Sequence, residues 1–285
     1  MDHHCRSGAL GRIHDLEPER PAAQHANDSG AGLRYHGVMR FLLVLIMASL
    51  LIAAVFAADG YAARQLLRAD PDALPAHAMS LHFAVRRGRP LFEARCAVCH
   101  GASGSGDTAK GVPNLTDQDW LYGTGRPSEI ERVIDYGIRS RNPKAWNLAI
   151  MPAYARPQPN PADKNIQPLT PGEIDDVIEF LMRQQGRPAG AGAAARGAAL
   201  FLGHGGCYDC HSVDAKGDSA IGAPNLSDAV TLYGDGSREA LHMSIAYGRQ
   251  GVCPAWINRA SAASIRELAL YVYSISHPGA GQNDN

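Results

Sequence analysis

The feature that most constrains this chain is a pentapeptide that occurs twice. Cys96-Ala-Val-Cys99-His100 returns 111 residues later as Cys207-Tyr-Asp-Cys210-His211. Cys-x-x-Cys-His is the attachment signature of c-type haem: the two thiols add to the haem vinyl groups, and the adjacent histidine becomes the proximal iron ligand. The pattern therefore predicts two covalently bound c-type haems. One is held by Cys96, Cys99 and His100, the other by Cys207, Cys210 and His211. A thioredoxin-type dithiol needs a βαβ setting, and a zinc site needs further ligands at regular spacing. Neither accompanies these motifs. Six cysteines in 285 residues are too sparse for a disulfide scaffold.

The repeat extends well beyond the cysteines. Pro113-Asn114-Leu115 matches Pro224-Asn225-Leu226, Leu121-Tyr122-Gly123 matches Leu232-Tyr233-Gly234, and Tyr136-Gly137 matches Tyr247-Gly248, all at the same offset of 111. Upstream, Arg87-Gly88-x-x-Leu91-Phe92 matches Arg196-Gly197-x-x-Leu200-Phe201. Downstream, Met151-Pro152-Ala153-Tyr154 faces Cys253-Pro254-Ala255-Trp256. The shorter final offset puts an insertion near 139–150 of the first copy. One offset shared by four motifs marks a duplicated unit. Each copy reads as a short opening helix ending near the cysteines, a middle helix after Leu-Tyr-Gly, and a closing helix. The closing helices carry capping signals, Thr170-Pro171-Gly172-Glu173 and Ser264-Ile265-Arg266-Glu267. No alternating strand pattern appears, so the expected fold is all-α, with two tandem domains.

Phe41–Ala58 is 18 residues without a charge, and Arg40 precedes it. That length suits a membrane-spanning anchor, with a signal cleaved after Ala57 as the alternative. The reading gives a polar, disordered extension at 1–38, an anchor or signal at 39–63, and a tether at 64–80. The first haem domain then spans 81–183, a Gly/Ala/Pro linker 184–196, the second domain 197–278, and a disordered tail 279–285. Charge is balanced, 27 basic against 28 acidic residues, which argues against nucleic-acid binding.

A thioether is expected opposite each histidine. Met151 lies in a Pro-rich loop and precedes Pro152, whereas Met182 and Met243 fall in predicted helices. Met151 is thus paired with His100. Its counterpart in the second copy is Cys253, paired with His211. His242 or Met243 as ligand, or an open sixth position, are the rivals.

The order Pro-Asn-Leu-(Thr/Ser)-Asp, Leu-Tyr-Gly, Tyr-Gly, (Met/Cys)-Pro-Ala-(Tyr/Trp) resembles the class I cytochrome c domains of the dihaem subunit III (CcoP/FixP) of cbb3-type cytochrome c oxidases, over about residues 80–277. The resemblance implies that the first and last helices of each domain cross, Gly88/Phe92 against Phe180 and Gly197/Phe201 against Tyr271. It also implies that the Pro113 and Pro224 carbonyls accept from the Nδ1–H of His100 and His211.

The expected function is electron transfer in a respiratory chain, as an oxidase cytochrome subunit in a bacterial inner membrane with its haem domains in the periplasm. Its partners would be a donor cytochrome or dehydrogenase, the oxidase core subunits and the membrane. A soluble periplasmic protein is the alternative if the apolar segment is cleaved. Two other functional readings stand beside it: a free-standing anchored carrier serving a dehydrogenase, and a His/Cys-haem enzyme acting on a sulfur compound. No residue is read as catalytic.

Overall fold

The computed structural model describes residues 29–280, with side chains from residue 38. The expected extension at 1–38 and tail at 279–285 lie mostly outside the described residues. Helix α1 runs Ser29–Arg68. From Val38 onward it is, among the described residues, the one helix long and apolar enough to cross a membrane. Its side chains from Val38 to Phe56 are exposed. At 1.5 Å per residue, its 18 uncharged residues span about 27 Å, close to a hydrocarbon core.

From Ala58 the chain forms one helical body. Its helices are α2 (Ala78–Arg95), α3 (Ala97–His100), α4 (Pro127–Tyr136), α5 (Pro171–Gln184), α6 (Ala191–Leu202), α7 (Tyr208–His211), α8 (Arg238–Tyr247) and α9 (Ala262–Ser276). Among the described residues there are only isolated β-bridges and no strand. The repeat is visible at once: α2, α3 and α4 correspond to α6, α7 and α8.

The closing helices are exchanged. The helix that ends the second copy, α9, packs on α2 and α4 of the first, while α5 packs on α6 and α8 of the second. The implied pairs Gly88/Phe92–Phe180 and Gly197/Phe201–Tyr271 are therefore replaced by their cross-combination. Phe92 meets Tyr271 with ring centroids 5.2 Å apart, and Phe180 meets Phe201 at 5.0 Å. The two glycines permit these contacts. A Cβ on Gly88 would lie 2.2 Å from the Glu267 carbonyl oxygen, and one on Gly197 would lie 1.9 Å from that of Asp176. Arginines beside the glycines close each crossing, Arg87 Nε to Glu267 at 2.8 Å and Arg196 NH2 to Asp176 at 2.6 Å. Either pairing satisfies the Gly-x-x-x-aromatic rule, so the rule alone cannot select a partner. Gly197→Val should force α5 and α6 apart and cost ~3 kcal/mol or more. Chemical denaturation would measure this, and an unchanged midpoint would count against so close a crossing.

Three local readings also change. The N-cap of α9 is Ser261, whose side chain accepts from Ser264 N, one turn before the expected box. Glu267 is instead a buried partner of Arg87. The segment 64–80 is docked rather than a free tether: Leu66 and Leu74 are buried with Leu81, Ala84 and Leu270. Arg266 donates to the carbonyls of Leu66 and Ala69 at 2.7 and 3.1 Å, tying α9 to the end of α1. Finally, α5 and α6 leave only residues 185–190 between them, because the Ala-rich end of the expected linker is helix.

Candidate haem sites

Each Cys-x-x-Cys-His motif forms one helical turn, because the amides of His100 and His211 return to the carbonyls of Cys96 and Cys207 at 3.0 and 2.9 Å. The turn aligns both thiols and brings the histidine out at its end. The chain then reverses through left-handed backbone, Gly101 at φ 76° and Ser212 at φ 62°. The loop that follows folds back under the ring. Asp107 pairs with Val112 and Asp218 with Ala223. Gly106 and Gly217 lie so close beneath this loop that a Cβ would meet the Val112 and Ala223 carbonyl oxygens at 2.4 Å.

This return loop delivers Pro113 and Pro224. His100 Nδ1 lies 3.1 Å from the Pro113 carbonyl oxygen, and His211 Nδ1 lies 3.0 Å from that of Pro224. A carbonyl only accepts, so each Nδ1 carries the proton and each Nε2 keeps its lone pair for a metal. Burial lowers the pKa of both rings against the smaller upward pull of the proline carbonyls. Both therefore stay neutral, the form that ligates. Burial, followed by the neighbouring Cys99, pushes the Cys96 thiol up to about 11. Burial likewise raises Cys207 to about 11.

The residues suit haem rather than a small metal ion. Among the described residues no three His, Cys, Asp or Glu side chains gather into a metal cluster. The indole nitrogens of Trp120 and Trp146 are buried without an acceptor, as donors awaiting the carboxylates of a large cofactor would be. The insertion of the first copy carries Trp146, which meets Tyr122 edge-on at 5.3 Å. Nothing in its sequence pattern marks that indole as a site residue.

Met151 and Cys253 lie in equivalent loops attached to opposite cores. Cys253 exchanges two backbone hydrogen bonds with Ile138, both 3.0 Å, just after α4. Trp256 N then donates to the Ile134 and Asp135 carbonyls at 3.0 and 3.1 Å. In the other core, Met151 N donates to the Arg249 carbonyl at 3.4 Å, just after α8. Tyr154 N and Ala155 N donate to the Ile245 and Ala246 carbonyls at 3.1 and 3.0 Å. Met151 and Cys207 pack against the core that holds Phe180 and Phe201, whereas Cys96 packs against the one that holds Phe92 and Tyr271. The Tyr154 hydroxyl donates to the Gly205 carbonyl beside the second motif. The expected pairing of Met151 with His100 and of Cys253 with His211 is thus not what the helices bring together. Met243 is 46 % exposed, which leaves it poorly placed as a ligand. His242 faces Asp175 at 3.3 Å. Glu131 of α4 holds Arg266 at 2.5 Å.

The family model for cytochrome c matches residues 85–185. The chain is 33% identical over 224 residues to the Cbb3-type cytochrome c oxidase subunit CcoP of Cereibacter sphaeroides, covering 79% of this chain and 72% of that protein. It is 32% identical over 224 residues to the FixP subunit of Sinorhizobium medicae, with the same coverage. It is 36% identical over 226 residues to the CcoP subunit of Rhodobacter capsulatus, covering 76% and 70%.

Proposed function

The chain belongs to the CcoP/FixP family of cbb3-type cytochrome c oxidase subunits and is a c-type cytochrome of respiratory electron transfer, and from that premise we propose that it carries two haems, faces the periplasm and docks on oxidase core subunits. The observation that carries the two-haem reading is the identical local build of both motifs. Each has a helical turn with two thiols, a left-handed reversal and a proline carbonyl on Nδ1. The second build lies outside residues 85–185, the span of the family model, yet repeats the first in its turn bond, its Asp–loop bridge and its proline carbonyl.

One-electron exchange is the chemistry that a bound c-type haem supplies. The chain's own residues fix its setting. Cys96 and Cys99, with Cys207 and Cys210, are the attachment thiols. His100 and His211, held by the Pro113 and Pro224 carbonyls, would ligate the irons, and Met151 and Cys253 would complete the ligation. The helix crossings, closed by Phe92 with Tyr271 and Phe180 with Phe201, would keep water from a bound haem. No substrate pocket is required.

Intact-mass measurement after expression with the haem-attachment machinery should show two haem additions per chain, and the protein should sediment with membranes through α1. A single addition lost on Cys96→Ala would leave only the first motif functional. Recovery as a soluble protein would show that the apolar segment is removed.

A further inference from the structure

We infer that the Leu-Tyr-Gly segment of each copy is a clasp on the proximal loop of the other, with Tyr233 positioning His100 and Tyr122 positioning His211. This rests on the two-haem reading above and adds what holds each histidine in register. The return loop after each motif is closed by a bridge, Asp107 to Val112 and Asp218 to Ala223. The next residue is the proline whose carbonyl faces Nδ1. Inside the bridge, each loop is gripped at two points by the other copy. The amide of Gly234 donates to the Thr108 carbonyl at 2.9 Å, and that of Gly123 donates to the Ser219 carbonyl at 3.0 Å. The tyrosine before each of these glycines lays its ring further along the same loop. A Cβ on Gly111 would stand 1.9 Å from the Tyr233 ring, and one on Gly222 would stand 2.1 Å from the Tyr122 ring.

Every partner has its counterpart 111 residues on: Thr108 and Ser219, Gly111 and Gly222, Tyr122 and Tyr233, Gly123 and Gly234. A contact made twice by equivalent residues belongs to the duplicated unit rather than to one surface. The close ring demands glycine, and so does the backbone, left-handed at Gly111 (φ 68°) and Gly222 (φ 77°). Each ring is backed in turn. Trp146 meets Tyr122 edge-on, and the Arg249 guanidinium lies 4.5 Å from the centre of the Tyr233 ring. A loop held at 108 and at 111 has little freedom to slide, and Pro113 follows directly after the bridge. The bond from Nδ1–H to that carbonyl makes the imidazole a stronger donor to a metal. A clasp that fixes the carbonyl therefore fixes the strength of that bond. Each tyrosine is a positioning residue that acts, through the loop, on the histidine of the other copy.

The test uses the full chain with Cys207→Ala and Cys210→Ala, which leaves attachment to the first motif alone. Adding Tyr233→Ala should loosen the Pro113 bond, weaken donation from His100 and raise the midpoint potential in a redox titration. Tyr233→Phe keeps the ring on Gly111 and should keep the midpoint. An unchanged or lowered midpoint on Tyr233→Ala overturns the clasp, as does an equal shift on Tyr233→Phe. The reciprocal chain, Cys96→Ala with Cys99→Ala, should respond in the same way to Tyr122→Ala and Tyr122→Phe. Absence of haem from that reciprocal chain would sink the two-haem reading instead, with the Tyr233 arm still deciding the clasp. If the single-haem chains do not fold, amide exchange in the otherwise intact dihaem protein decides the matter. Tyr233→Ala should speed exchange at the Asp107 and Val112 amides, both bonded at 2.9 Å, and leave Asp218 and Ala223 protected. Tyr122→Ala should do the reverse. Loosening confined to the substituted copy's own loop, or no loosening of either loop, overturns the clasp.

Discussion

Cys253→Met should raise one reduction potential by a few tenths of a volt, part of the roughly 0.8 V range that axial ligation spans. A thiolate donates charge to iron and stabilises the ferric state, whereas a thioether favours the ferrous state. The change occurs at one of two otherwise similar centres, so a redox titration should see one wave move and the other stay. Cys253 is bonded to Ile138, beside the core of the first motif, so the moving wave is expected to belong to the haem on Cys96 and Cys99. Transfer from that haem to the one on Cys207 and Cys210 is then downhill in the unmodified protein. Sequential pairing gives the reverse direction. Two waves unmoved by the substitution would remove Cys253 from the iron altogether.

Tyr271→Ala should destabilise the core around the first motif by about 3–5 kcal/mol, the range for deleting a large buried aromatic side chain. Tyr271 lies near the end of the chain, yet its ring packs on Phe92 at 5.2 Å. Amide exchange should rise in α2 and α4 while α5 and α6 keep their protection. Phe180→Ala should produce the mirror image, with α6 and α8 opening first. Loss of protection in α6 on changing Tyr271 would mean that each copy closes on its own last helix. The two readouts therefore distinguish a packing error from a general loss of stability.

Much of this architecture was legible in the sequence, for stated physical reasons. The 3.6-residue periodicity and the Thr170/Glu173 capping box place α5 within a residue of its observed start, Pro171. The family resemblance implies both proline carbonyls, and the structure has them at 3.1 and 3.0 Å from Nδ1 of His100 and His211. What the sequence could not show is which copy supplies which closing helix. The glycine and the aromatic residue required at each crossing are present in both copies, so local patterning is degenerate between the two topologies. The selection falls to features without a periodic signal. Among them are the short connection 185–190, the insertion carrying Trp146, and the docking of Leu66 and Leu74 on Leu270. Glu267 departs from its expected capping role for a related reason. An acidic residue near a helix start looks like a cap until its partner, Arg87, is seen across the interface.

The exchange of closing helices sets the timetable by which a chain emerging N-terminus first can be finished. The core of α5 and α6 joins neighbours separated by six residues and can close as soon as α6 appears. The core of α2 waits for α9, the last helix among the described residues, and closing so long a loop is slow. Throughout that interval Cys96 and Cys99 stay open to whatever enzyme attaches the cofactor. A chain cut short anywhere before Ala262 therefore leaves the core around its first Cys-x-x-Cys-His motif unclosed.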